Sequence, residues 1–404
     1  MRNLGRFYIL KNPVQKYVWG SHTAIPELIG TRPDPNMPQA ELWMGAHPKA
    51  PSLAKVNGTW VSLEKIIAAH PVQILGKTVA DKFQNTLPYL FKVLAAARPL
   101  SLQAHPSISQ ARKGYRKEND RDLALDAPNR NYKDENHKPE CICAMTPFWA
   151  LNGFRNITEI LALLKRIGTR GLDESLGILQ NDPNSRGLKS FFYSLMTLSP
   201  ELKKETADQV ASNAELLAAE EPVFRWILQL AQEYPGDIGI LSPLFLNLIQ
   251  LRPGQAMFLP SGELHAYLEG VGIELMANSD NVLRGGLTPK HIDVQELMKV
   301  LNFEERKVQI LEPTISEDQE HFYCGDAEEF VLSSISVNPT GVYESAVNRS
   351  AEIILCTSGA ADISDAGNHE SIPLKKGTSL FIPAAVQKYI IEGNAVLFKA
   401  GVPV

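Results

Sequence analysis

At 404 residues, 44% hydrophobic and 21% charged, the chain has the composition of an ordinary folded protein and is long enough for two or three structural units. Its formal charge of −5, with no run of like charges, gives no reason to expect nucleic acid or an anionic membrane surface as a partner. Four cysteines in a chain of this length make no disulfide framework, so a reducing cytoplasm is the expected compartment.

The N-terminal stretch, residues 1–15, holds only a short apolar run from Phe7 to Leu10. A secretory signal needs an apolar core of about 7–15 residues. No window approaches the ~20 apolar residues of a membrane span; the nearest, at 87–100, is broken by Lys92 and Arg98. Short apolar runs among prolines and glycines predict strands at 88–96, 99–105 and 139–154. Lys92 is an odd residue for the middle of such a strand unless it snorkels or faces a polar pocket. Ser101, Gln103 and His105 alternate, so a strand there would turn all three to one face. Cys141 and Cys143 have the wrong spacing for a redox pair and read as core residues.

From 156 the texture becomes helical. Ile157, Ile160, Leu161, Leu164 and Ile167 recur at helical spacing, and Gly168 stands where a C-cap belongs. Ser199-Pro200 opens another helix and 222–234 forms a third. Strand texture returns after 236 and persists to the end. The expected division is therefore a β unit over 1–155 completed by 236–320, a helical insert at 156–235, and a C-terminal β unit at 321–404. The two β units echo one another: Gly254 and Pro260 share their spacing with Gly377 and Pro383, but His265 in the first copy is matched by Lys388 in the second.

Gly254, Pro260, Gly262 and His265 fit the second motif of the cupin barrels, G-x5-P-x-G-x2-H. The H-x-H of the usual first motif is absent, and Gln103-x-His105 stands in its place, with Glu140 as the best following acid. Glu269 occupies the position where the cupin motif continues with Asn. On residues alone, a buried core histidine remains as good a reading as a metal ligand.

Residues 132–140, Y-x-D-x-N-H-K-P-E, resemble the signature of the type I phosphomannose isomerases. The stretch 265–290 is similar to that family's other signature, and 12–20 and 40–49 to its N-terminal segments. The resemblance implies an α+β fold of duplicated cupin-type antiparallel β-barrels (jelly rolls) with an all-helical insert. It implies one zinc ion per chain, held by Gln103, His105, Glu140 and His265, with no metal in the C-terminal barrel. The implied reaction interconverts mannose 6-phosphate and fructose 6-phosphate through a cis-enediolate, in mannose catabolism or the supply of GDP-mannose precursors. Arg284 matches the family's active-site arginine, and His137, Lys138 and Asp280 are open alternatives for the proton carrier. Ser101 and Lys92 are expected to hold phosphate, and Glu274 to face substrate or orient a neighbour. A cytoplasmic monomer is expected, acting on a small sugar phosphate and binding neither membrane nor nucleic acid. Two other readings compete: an Fe(II) oxygenase built on two histidines and one glutamate, and a sugar-phosphate-binding module without turnover.

Overall fold

Alternation along a few long strands sets the layers. In the computed structural model, strand Tyr89–Ala96 is buried on both faces, with Leu90, Lys92 and Leu94 on one side and Phe91, Val93 and Ala95 on the other. The structure describes residues 5–313, 319–323, 325–367 and 370–404; residues 1–4 of the N-terminal stretch and the fourth cysteine, Cys324, lie outside the described residues. Strand His265–Ala277 is the spine of the sheet to which Tyr89–Ala96 belongs. Its first residues pair antiparallel with Phe148–Phe154 and Leu102–Ala104, and its later ones with Tyr89–Ala96 and Glu140–Ala144. Strand Leu283–Gly286 pairs with the outer side of Leu102–Ala104. Gly262 makes the turn into the spine at φ +87, where a Cβ would meet the Val300 carbonyl at 3.1 Å.

Helix Ile157–Ile167 opens on Asn156, whose side chain accepts from the Thr158 N–H, and closes on Gly168 at φ +55. Helices Asp173–Asn181, Ser185–Met196, Pro200–Leu217 and Pro222–Glu233 follow, the fourth of these five capped by the Ser199 hydroxyl as its sequence requires. Their apolar faces share one core with Leu102, Ala104, Leu151, Phe154, Leu264 and Ala266 of the sheet. Leu102 and Ala104 point into that core, so Gln103 between them points away from it. Phe192 joins the layers, its ring centroid lying 5.8 Å from Phe154 and 5.9 Å from both Phe245 and Phe303. Phe192→Ala is expected to cost about 3–5 kcal/mol. Urea unfolding checks this, and a loss under ~1 kcal/mol would mean that the helical layer is not cored on that ring.

A second core lies on the other side of the spine, where Phe91, Val93, Cys141, Cys143, Ile273 and Leu275 meet Leu332, Ile353, Phe381 and Phe398 of the C-terminal sheet. Both thiols are buried there, and burial pushes that of Cys143 up to about 12. The two cysteines are core residues, as their setting in the sequence suggests.

The C-terminal sheet differs from expectation at its edge. Strand Tyr8–Lys11 pairs with Ser379–Ile382 and in turn carries Leu53–Val56 and Thr59–Ser62. Residues 1–155 therefore do not all belong with the first β unit. The cause is long-range: Ser379–Ile382 offers a free edge on that side, and Tyr8 buries its ring against Phe381. The echoed glycines both turn at positive φ, Gly254 at +88 and Gly377 at +85, each leading to a short strand and then one of 13 residues. Within the C-terminal sheet the ammonium of Lys399 lies 2.7 Å from Glu320 and 3.4 Å from Glu352. Tyr343 donates to Glu320 at 2.6 Å and Tyr389 to Glu352 at 2.9 Å. Among the described residues no helix is long and apolar enough to cross a membrane.

Candidate metal centre

Three strands and a loop converge on one cluster. In register, Gln103 stands opposite His265 on one side and Arg284 on the other, and directly opposed residues share a face. His105 follows at the end of the same short strand, and Glu140 opens strand Glu140–Ala144. Candidate ligand atoms of His105, Glu140 and His265 all lie within 4.8 Å of one another, and all three residues are buried.

The hydrogen bonds decide which nitrogen each ring presents. His105 Nδ1 is 2.7 Å from the Asn281 carbonyl, and His265 Nδ1 is 2.9 Å from the Glu263 carbonyl. A carbonyl only accepts, so each Nδ1 carries the proton and each Nε2 turns a bare lone pair inward. His105 Nε2 lies 3.2 Å from Glu140 Oε1, and His265 Nε2 lies 3.5 Å from Oε2. Without a proton on Nε2 these contacts set acceptor against acceptor, and His105 Nε2 is buried without a hydrogen-bond partner among the described residues. Burial, reinforced by Lys138, pulls the His105 pKa down to about 4, so the ring is neutral near pH 7. Two neutral imidazoles and a carboxylate aimed at one point, with an amide beside them, fit a divalent cation with room left for further ligands.

Charges around the cluster are arranged in layers. Burial works to raise the Glu140 carboxyl, but the Lys138 ammonium outweighs it and holds it well below the usual range. Lys138 Nζ is 2.8 Å from Glu140 Oε1, and the Tyr267 hydroxyl donates to Oε2 at 3.3 Å. On the same face, two residues before the register partner of Glu140 in the spine strand, Glu274 pairs with Lys92 at 2.9 Å. Lys92 also lies 3.7 Å from Glu41 and 5.6 Å above the ring of Trp43, whose indole N–H donates to Glu41 at 2.6 Å. Burial opposes the charge of Lys92, and the carboxylates of Glu274 and Glu41 restore it. The lysine that looks misplaced in the sequence is thus an ammonium clasped by two acids.

The remaining expected residues divide. Arg284 is half-buried beside Gln103, and burial lowers its pKa, with no carboxylate among the described residues to offset it. Lys133 and Lys290 both lie within electrostatic reach of it. Asp280 is held by Lys49 at 2.8 Å and faces His47 at 3.6 Å. His137 is turned to Glu329, 2.6 Å away, rather than to the cluster. Ser101 is half-buried one residue before the strand that carries Gln103. Sequence reasoning missed Tyr267, Glu41 and Trp43. Tyr267 follows His265 by two and Glu41 precedes Trp43 by two, so the alternation that paired Gln103 with His105 could have found them. It also missed Asn152, wholly buried opposite His265 with its Oδ1 lacking a hydrogen-bond partner among the described residues.

Comparison with known proteins places this geometry. Residues 7–157 match the phosphomannose isomerase type I catalytic domain, and residues 320–400 the mannose-6-phosphate isomerase cupin domain. The chain is 40% identical to mannose-6-phosphate isomerase of Escherichia coli (strain K12) over 392 residues, 96% of this chain and 97% of that one. The chain belongs to the type I phosphomannose isomerases. To the human mannose-6-phosphate isomerase it is 36% identical over 410 residues, 94% of each chain. A crystal structure of mannose 6-phosphate isomerase with zinc bound superposes with a TM-score of 0.90 at 37% identity, covering 98% of this chain and all of that one. A variant of the phosphomannose isomerase from Salmonella typhimurium superposes at 0.91 with the same identity and coverage. In this family member the signature residues 132–140 thus end on the carboxylate that the two histidines face.

Proposed function

We propose that this chain is a zinc-dependent isomerase interconverting mannose 6-phosphate and fructose 6-phosphate. The observation that carries the reading is the inward pair of bare Nε2 lone pairs facing Glu140, set beside an arginine with no carboxylate partner among the described residues. His105, His265, Glu140 and the amide oxygen of Gln103 would hold the ion. Zinc so held supplies Lewis acidity to sugar oxygens on which negative charge develops. We read the two β units as duplicated cupin-type barrels, with 156–235 as a helical insert.

The reaction moves a carbonyl between C1 and C2 of the open-chain sugar: a proton leaves C2, a cis-enediolate forms, and a proton returns at C1. Lys138 is the candidate proton carrier in direct contact with Glu140, so we assign the transfer to its Nζ as the neutral amine, the form favoured beside a bound cation: it would take the proton from C2 and return it at C1. Arg284 supplies a fixed cation for the phosphate or the enediolate oxygens, with Lys290 and Lys133 adding to the positive field. Lys92, already neutralised by Glu41 and Glu274, is better suited to orienting sugar hydroxyls with its partner than to carrying phosphate. Ser101 and Asp280 complete the substrate side.

A coupled assay for fructose 6-phosphate formed from mannose 6-phosphate tests the proposal. Turnover is expected to vanish on chelation and return with zinc. Zinc-loaded protein with the ion confirmed bound and no turnover would sink it, and oxygen uptake by iron-loaded protein would favour the oxygenase instead.

A further inference from the structure

His105 owes its orientation to a carbonyl, and that carbonyl belongs to a fully buried residue, Asn281, whose side chain is bound at both ends to a different loop. Its Oδ1 accepts from the backbone N–H groups of Lys133 and Asp134 at 2.6 and 3.2 Å. Its Nδ2 donates to the Asp134 carbonyl at 2.9 Å, to Asp134 Oδ1 at 3.2 Å and to the Asn136 carbonyl at 2.8 Å. The Asp134 carboxylate also receives the backbone N–H of Asp280 at 2.8 Å, that of Asn136 at 2.9 Å and the Ser279 hydroxyl at 2.8 Å. Ser279 Oγ in turn accepts from the Asn281 N–H at 3.2 Å.

We propose that Asp134 and Asn281 are positioning residues for the metal: they lock segment 279–281 to segment 133–136, and so fix the carbonyl that keeps the proton on Nδ1 of His105. The same loop runs on through Lys138 to Glu140, so one network sets two ligands relative to each other. This rests on the metal reading above. The chemistry is specific, because all four partners of the Asp134 carboxylate are donors. An amide in its place must turn an NH₂ toward at least one of them. Groups that orient a metal-bound imidazole through its other nitrogen are worth about 10–100-fold in metal affinity.

The test measures zinc affinity of the full chain by competition with a chromogenic chelator, and records the visible spectrum of the cobalt-loaded protein. Asp134→Asn is expected to lower zinc affinity about 10–100-fold and to shift the cobalt bands, with the melting temperature of the metal-free protein little changed. A folded Asp134→Asn with native affinity and native cobalt bands overturns the proposal. Ser279→Ala, which removes one donor and one acceptor from the network, covers the case in which the first variant does not fold. It is expected to weaken zinc by a smaller factor, and native affinity there also overturns the proposal. Failure of the unaltered chain to bind zinc would instead sink the metal reading itself.

Discussion

Glu140→Ala is expected to leave a folded chain that retains almost no zinc after dialysis and turns over at least ~10³-fold more slowly than the unaltered protein. Glu140 is the one anionic group of the proposed ligand set, and the other three donors are neutral. Without it, no charge in the set offsets that of the ion, and Lys138, 2.8 Å away, is left directed at the vacated position. Repulsion from that ammonium would then add to the lost attraction. Glu140→Gln separates the contributions, since it keeps the shape and one carbonyl oxygen while deleting the charge. Metal content by elemental analysis, beside the coupled assay, reads both outcomes. Full zinc occupancy in Glu140→Ala would remove Glu140 from the ligand set, and full occupancy in Glu140→Gln would show that its charge is not needed.

Arg284→Ala predicts the opposite split. Zinc content should stay at the native level while turnover falls by about 10²–10³-fold, the usual cost of removing one group that stabilises charge in the transition state. Arginine stays protonated at any working pH, and this one is half-buried without a carboxylate partner among the described residues, a costly state that a bound anion relieves. Inorganic phosphate distinguishes its two possible targets. If Arg284 holds the 6-phosphate, the variant loses inhibition by phosphate together with affinity for substrate. If it serves the enediolate oxygens, inhibition by phosphate is kept and the loss falls on kcat. Turnover near the native rate, with the variant folded and zinc-loaded, would exclude either role.

Sequence and structure agree where the signal is local. The 3.6-residue repeat of Ile157, Ile160, Leu164 and Ile167 marks the buried face of its helix, to which the structure adds Leu163 and leaves Leu161 half-buried. Alternation sufficed to turn Gln103 away from the core that Leu102 and Ala104 enter, while His105 lies just beyond the end of that strand rather than within it. What escaped is set by partners far along the chain. Nothing near Lys92 announces Glu41 and Glu274 as its two acids, because three separate strands supply them. His137 sits within the signature yet faces Glu329, a residue from the distant C-terminal segment. The Tyr8–Lys11 strand has no local feature that distinguishes a neighbour at 379–382 from one nearby in sequence. The tautomers of the two histidines depend on backbone carbonyls, groups that every residue has and no sequence pattern marks.

The C-terminal sheet repeats the placing of one carboxylate and changes what neutralises it. Glu352 stands opposite Ile382, the residue before Pro383, as Glu140 stands opposite Leu259, the residue before Pro260. Beside Glu140 are the lone pairs of two histidines; beside Glu352 are the guanidinium of Arg349 at 3.1 Å and the ammonium of Lys399 at 3.4 Å, the latter shared with Glu320. An ion gathered from solution is a loan, present in proportion to its concentration and returnable to any stronger chelator. A lysine belongs to the chain, fills its place at every metal concentration, and offers no open position to a substrate. The same carboxylate position thus supports an exchangeable, reactive cation in one half of the molecule and a permanent, inert one in the other, so scarcity of metal would silence the chemistry while leaving the C-terminal sheet neutralised.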